Sequence, residues 1–400
     1  MANVLTTFNQ QHWAKEMQAT YIKENVARGF VSETLASQLV DGTRINRPYR
    51  SGLKATTYTK GTDISVYNDL TGVNEYLDID TTPLVAFYVD FIDKIENKWD
   101  MQSKYATDAG RLLNNIIDQA ILAEYSNAYS YVSAQDLGGS GTGATAITVA
   151  NVSNLFTTAG RQLDKFNRGP QGRFATVGPR LRETLRLAVS GRETAFGDTV
   201  GANGMIGSRF GFDIFFSNNI PFSTTVVTSG IPTDGQLFYV DGVTFTWEAH
   251  GTACSTAGEV DIGSNEDGAY ANLVLAINGT TAGTTSTYCD VSADDRETLT
   301  NGGITASYTA HALLISGYGD VVISEGTTSN VTSVTTTSHP LFGVKGSIDL
   351  VLEKEPSIDF VRDPDRLGNN VFAWTRYGKK TFTKEKKGLV YGKVNASDWI

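Results

Sequence analysis

At 400 residues with 40% hydrophobic side chains, the chain is long enough for two or three domains and apolar enough to fill their cores, which excludes a disordered protein. No stretch reaches the roughly 18 uninterrupted apolar residues of a membrane span, and the opening MANVLTTFNQQHW has neither a basic patch nor an apolar run, so a soluble, unsecreted product is expected. The formal net charge of −10 is concentrated: residues 223–339 hold thirteen Asp or Glu against one basic residue, Arg296, while the rest carries 30 acidic and 32 basic side chains.

In chain order, Trp13, Met17, Ile22 and Val26 recur at helical spacing and predict a helix over residues 11–39 that rests on a partner surface. Residues 42–60 hold five basic side chains and no acidic one, and residues 63–80 hold five acidic and no basic one. Both stretches alternate, so they predict an extended hairpin whose limbs carry opposite charge. With little apolar content of its own, such an arm has to lie on something. Over residues 100–129, Tyr105, Ala109, Leu112, Ile116, Ala120 and Ala123 form an apolar stripe widened by Leu113 and Ile117, which predicts one long helix ended by the glycine run 138–143. A second amphipathic helix is expected over 152–166, a strand over 173–177, and a helix over 180–189 entered through Pro179. Residues 197–221 read as a glycine-rich loop and a strand, 212–217.

The acidic segment 223–339 has no lysine, contains both cysteines, and draws 49 of its 117 residues from Thr, Ser and Gly, a composition shift that marks an inserted α+β or mostly β domain. Within it QLFYVDGVTFTW predicts a hairpin turning at Asp241 and Gly242, because Asp-Gly accepts the positive φ of a primed turn, and 269–277 predicts a short helix. Beyond it, 346–352, 358–362 and 371–377 predict three strands, the last two joined by a turn over 363–370.

Little in the sequence points to catalysis. Gly378, Lys379, Lys380 and Thr381 lack the upstream glycine of a phosphate loop, there is no GxSxG elbow, and His12, His250, His311 and His339 lie in unrelated segments. The neighbouring pairs Glu266/Asp267 and Asp294/Asp295 diverge on most backbones and read as solvated charges or a loose calcium site rather than an acid/base pair. Cys254 and Cys289 are too few and too far apart for a disulfide scaffold or a metal site, although they could still meet as one bridge. No enzyme, cofactor or metal is expected. The basic stretch of Arg376, Lys379, Lys380, Lys384, Lys386, Lys387 and Lys393 suits a subunit contact, a solvated face or a weak nonspecific contact with nucleic acid.

Four local stretches, in this order, resemble the major capsid proteins of tailed bacteriophages with the Hong Kong 97 phage-type fold: TYTKGTDISVYNDL from Thr57, FYVDFIDKIENKWD from Phe87, DIFFSNNIP from Asp213, and WTRYGKKTF from Trp374. The resemblance implies an α+β fold divided into an N-terminal arm (1–41), an E-loop with flanking strands (42–90), a peripheral domain with a spine helix (91–149 and 353–400) and an axial domain (150–222 and 340–352). The insertion occupies 223–339, and its DGVTFTWEA and GEVDIGSNEDGAYANLVLAING stretches resemble small domains of phage virion proteins. As a function the resemblance implies self-assembly into an icosahedral head shell around double-stranded DNA. Homo-oligomeric pentamers and hexamers, a portal protein and a possible decoration protein come with it, and the lack of a long charged propeptide implies a separate scaffolding protein. Assembly contacts are expected at Arg47, Arg50, Lys54 and Lys60 on the basic limb and at Asp363, Asp365 and Arg366 on the turn, which would lie near local threefold axes. An encapsulin-like cargo compartment and a surface adhesin binding glycans are the alternatives.

Overall fold

The computed structural model describes residues 25–39, 42–50, 52–63, 67–68, 70–92, 101–190, 207–280, 287–326, 330–364 and 366–395. Most of the helix expected over 11–39 lies outside them. The described part is not α-helical: it forms two 3-10 turns, Ala27–Gly29 and Thr34–Gln38. The backbone here is committed elsewhere. The Asp118 carboxylate takes the N–H groups of Val26 and Ala27, Phe30 stacks on Phe174 with ring centroids 4.0 Å apart, and Ser32 bridges to Asp349 as in a parallel ladder.

The hairpin arm follows. Its base is a ladder of β1 (Arg44–Asn46) with β4 (Tyr76–Asp78), continued by β2 (Tyr49–Arg50) with β3 (Gly72–Val73), both antiparallel. Next, β5 (Leu84–Asp90) leads to helix α1 (Met101–Leu122). The buried stripe of α1 runs through Ala106, Ala109, Leu113, Ile117 and Ile121, so Leu113 and Ile117 are its centre, with Leu112 and Ile116 on its flank. The N-terminal half packs on the peripheral sheet at Ala373, Val85, Phe87 and Ile358; the C-terminal half packs on Phe30, Phe174, Leu350, Tyr377 and Leu389. One helix thereby joins two bodies.

The axial body is a six-stranded sheet ordered β6 (Ser130–Val132), β22 (Leu389–Gly392), β19 (Leu341–Val344), β8 (Arg173–Val177), β10 (Phe212–Phe216), β9 (Ser208–Arg209). All five residues of β8 are buried, because β10 lies parallel to it on one side, β19 antiparallel on the other, and helices α2 (Val152–Lys165) and α3 (Pro179–Ser190) contribute to the same core. The sheet draws in β6 and β22 from stretches grouped with the peripheral domain on sequence. Most of the glycine-rich loop expected before β9 lies outside the described residues.

From the axial body the chain runs into β11 (Pro221–Thr228) and returns along β18 (Val331–Ser338), two antiparallel neighbours with Phe222 opposite Ser338. Between them lie a hairpin of β12 (Leu237–Val240) and β13 (Val243–Glu248), strand β14 (Glu259–Asp261), helices α4 (Glu266–Asn278) and α5 (Ala293–Asn301), and strands β15 (Thr305–Thr309), β16 (Ala312–Tyr318) and β17 (Ile323–Glu325). The β12–β13 turn has Asp241 and Gly242 at φ 53° and 82°, the primed geometry its sequence demands. Helix α4 is capped by the Asn265 side chain, and α5 by Ser292, whose hydroxyl accepts the Asp295 N–H. Phe222, Val226, Phe245, Trp247, Tyr270, Leu273 and Leu313 belong to one core shared by these elements. Strands β23 (Val394–Asn395) and β7 (Thr145–Ala146) extend the sheet beyond β18, so body and insertion share hydrogen bonds.

The peripheral sheet is β20 (Asp349–Arg362), β21 (Gly368–Lys380) and β5, all antiparallel. The two strands expected over 346–352 and 358–362 are a single strand. Strand β20 is an edge strand and absorbs Pro356 within the second of two register shifts, at 352–354 and 354–357.

Candidate assembly surfaces

The arm is anchored at its base and bare beyond it. Ile45, Leu77 and Ile79 are buried with Leu35, Val351 and Phe382. Strand β4 runs so close to β21 that a Cβ on Gly378 would stand 2.3 Å from the Asp78 carbonyl oxygen, which only glycine permits. Farther out, Asn68 replaces ladder bonds with its side chain, accepting the Lys54 N–H at 3.2 Å and donating to the Lys54 carbonyl at 2.8 Å. Leu53, Tyr58 and Leu70 are 71%, 62% and 84% exposed, the condition of a segment without a core of its own.

The basic residues of the arm are not equivalent. Arg44 is paired across the ladder with Asp78 at 2.6 Å. Arg47 reaches back to its own body, 2.7 Å from Asp349, which is only 2% exposed, and 3.7 Å from Glu385. Burial raises the pKa of Asp349, and Arg47 opposes that shift. Among the described residues no carboxylate pairs with Arg50, Lys54 or Lys60, and these three remain available to an acidic neighbour. On the acidic limb, burial works to raise the pKa of Glu75, but two hydrogen bonds from Thr383 and the charges of Lys380 and Lys386 leave it lowered.

At the far end of the peripheral sheet, the turn after β20 is closed by the Asp363 N–H on the Gly368 carbonyl and by Asn370 Nδ2 on the Asp363 carboxylate. Arg366 lies over the Tyr88 ring, while Asp365 lies outside the described residues. Phe360, Val361 and Leu367 are exposed beside the turn, a second apolar patch among the described residues.

The C-terminal basic stretch is largely engaged within the chain. Arg376 pairs with Glu353 and Lys379 with Glu124, Lys380 donates to the Tyr76 carbonyl, and Lys384, Lys387 and Lys393 lie over the rings of Tyr49, Tyr129 and Tyr131. These lysines and this arginine pin the arm base, α1 and the axial strands together.

Insertion and body meet at contacts that sequence reasoning missed. Arg180 at the start of α3 pairs with Asp320 at 2.6 Å, Gln119 of α1 donates to the Asn301 carbonyl, and His339 stacks on Tyr125 while its Nε2 lies 3.0 Å from Ser223 Oγ. Burial lowers the pKa of His339 to about 4, which keeps the ring neutral at the junction. Asp118 is fully buried and holds, besides the two N–H groups of residues 26 and 27, Ser217 Oγ and Asn219 Nδ2. Its signal was a charged residue inside the apolar stripe of α1. The two suspected carboxylate pairs have ordinary employment: Glu266 accepts from Thr228, Tyr308 and His311, and Asp294 and Asp295 occupy the first turn of α5. Among the described residues no cluster of three or more His, Cys, Asp or Glu could hold a metal ion, and no helix is long and apolar enough to cross a membrane.

The fold as a whole has counterparts among solved structures. Residues 85–258 match the family model of the phage capsid proteins. A chain solved from Mycobacterium phage Che8 superposes with a TM-score of 0.60 at 14% identity, over 97% of this chain and 98% of that one. The chain has the Hong Kong 97-type fold. The capsid of cyanophage P-SCSP1u gives a TM-score of 0.53 at 12% identity, covering 98% of this chain and 95% of that one. For the capsid of Ralstonia phage GP4 the score is 0.51 at 9% identity, with both chains covered fully. No curated protein sequence matches. Such low identities mean that the shared fold is held by burial pattern and backbone geometry far more than by retained side chains.

Proposed function

We propose that this chain is a phage capsid protein that builds an icosahedral head shell around double-stranded DNA by laying its arm on the adjacent copy. The carrying observation is the arm itself: a ladder fixed at its base, exposing Leu53, Tyr58, Tyr67 and Leu70 and three cations without a carboxylate among the described residues. Many modest contacts of this kind, repeated under closed symmetry, hold each subunit through several neighbours at once. The turn at Asp363 and Arg366 is the second contact in this scheme, with Phe360, Val361 and Leu367 as its apolar component. A separate scaffolding protein shapes the shell during assembly in the host cytoplasm, and a portal protein occupies one vertex.

The insertion, residues 223–339, is assigned to the outer surface, because its strongly acidic side chains would be repelled by packaged DNA. There it braces the subunit and takes the place of, or receives, a decoration protein. Engagement of the C-terminal cations within the chain leaves any contact with DNA nonspecific.

Co-expression of the chain with its candidate scaffolding protein should give uniform megadalton particles in sedimentation and electron microscopy. Chains that stay monomeric under every such condition would sink the proposal. The combined change Arg50→Glu, Lys54→Glu and Lys60→Glu should abolish particles while leaving a folded monomer; normal shells from it would remove the arm's cations from the mechanism.

A further inference from the structure

Cys254 and Cys289 are the only cysteines of the chain, and both are free thiols, Cys254 buried and Cys289 half-buried. The fold brings their segments onto one rung. The Cys289 N–H donates to the Glu259 carbonyl at 2.8 Å, the Cys289 carbonyl accepts from Gly258 at 3.3 Å, and Tyr288 bridges to Val260. From the other side the Glu259 carboxylate accepts the N–H groups of Ser255 at 2.6 Å and Thr256 at 2.9 Å, and the Glu259 N–H returns to the Thr256 carbonyl. These bonds fold residues 254–259 back on themselves, carrying Cys254 to the rung that Cys289 occupies. The charge of Cys289 is felt at Cys254, where it adds to the effect of burial.

We propose that Cys254 and Cys289 are a redox-active dithiol that closes to an intrachain disulfide on meeting a low-molecular-weight disulfide, stapling the loop before β14 to the segment before α5. Cys289, the more exposed, loses its proton and attacks one sulfur of the oxidant, whose S–S bond breaks to leave a mixed disulfide and one small thiol. Cys254 then loses its proton, attacks the Cys289 sulfur and expels the second small thiol. Two protein thiols are oxidised, one small disulfide is reduced, and the two protons end on the two released thiols. Both protein thiols sit above their ordinary range, Cys254 at about 11 through burial and Cys289 through burial and the Glu259 charge. Exchange is therefore slow near neutral pH and accelerates as pH rises. In a virion, release from the reducing host interior into an oxidising medium would supply the trigger; that setting alone rests on the shell reading, and the bond itself is tested without it.

Purified full-length chain is incubated with oxidised glutathione at mildly alkaline pH and followed by intact mass and alkylation. The expected product is lighter by two hydrogens, carries no glutathione, has no alkylatable thiol, and yields on proteolysis a cross-linked peptide pair containing residues 254 and 289. Its melting temperature rises by a few degrees and falls back with dithiothreitol. Cys254→Ser should stop with one glutathione on Cys289, which shows that the entry thiol is reachable. The proposal is overturned if the wild-type chain collects two glutathiones, if it only links chain to chain, or if both its thiols survive conditions under which Cys254→Ser is modified.

Discussion

Asp118 takes hydrogen bonds from two separate stretches of chain, residues 26–27 and 217–219, and has no cation beside it in the described structure. Replacement by Ala would leave two buried N–H groups and two side-chain donors without an acceptor, at about 1–3 kcal/mol for each group that water cannot reach. Asp118→Ala should therefore lower the unfolding free energy by about 3–5 kcal/mol, and Asp118→Asn by less, read from urea midpoints at constant slope. His339 makes a prediction of opposite chemistry. Its folded pKa of about 4 lies below the ordinary value of 6.5, so as pH falls through 6.5 the unfolded chain takes up the proton first and the fold loses stability. The loss should build to ~3 kcal/mol by pH 4. His339→Phe keeps a ring against Tyr125 and should flatten the stability profile between about pH 6.5 and 4.5, before the carboxylates titrate; an unchanged slope would place the effect elsewhere. Asp213, Glu259, Asp261 and Glu266 all have lowered pKa values, so their share of stability is present above the ordinary carboxylate range and disappears at lower pH than the His339 window.

The elements divide into those the sequence announces and those it hides. The β12–β13 hairpin, α2, β8 and α3 were legible because a turn dipeptide, an apolar period or a helix-entry proline states them locally. The 3-10 turns before residue 39 were not, because Phe30 and the Asp118 acceptor decide that backbone from far along the chain. The single strand β20 was hidden for a different reason: Pro356 is a local stop signal that a sheet edge tolerates. Of the arm's expected contacts, the free cations were legible from charge pattern, but the reach of Arg47 to Asp349 was not, since 302 residues separate them. Arg47→Glu should consequently cost about 3 kcal/mol of stability by placing a second carboxylate beside a buried one, whereas Arg50→Glu should stay within about 0.5 kcal/mol of the original chain. Gly378→Ala should cost ~2 kcal/mol or more and loosen the arm base, because its obstacle is backbone. Faster hydrogen exchange at Ile45 and Leu77 would report it.

For the whole molecule, Phe222 and Ser338 face each other across one ladder, so the insertion begins and ends at adjacent points. Removing residues 223–338 and closing the gap with a short turn should leave α1, the axial sheet and the peripheral sheet folded. The truncated chain loses the partner of β23, the Arg180–Asp320 pair and the Gln119 contact, so its melting temperature should fall and its particles should be less robust; a chain without any cooperative transition would contradict a modular insertion. The largest-scale consequence lies in β20. Its first residue, Asp349, holds Arg47 at the root of the arm, and its last, Arg362, opens the distal turn, so its 14 residues span ~46 Å as one continuous strut. Tension applied to the arm enters this strut at one end and emerges at the other, with the bulge around Pro356 as its compliant joint.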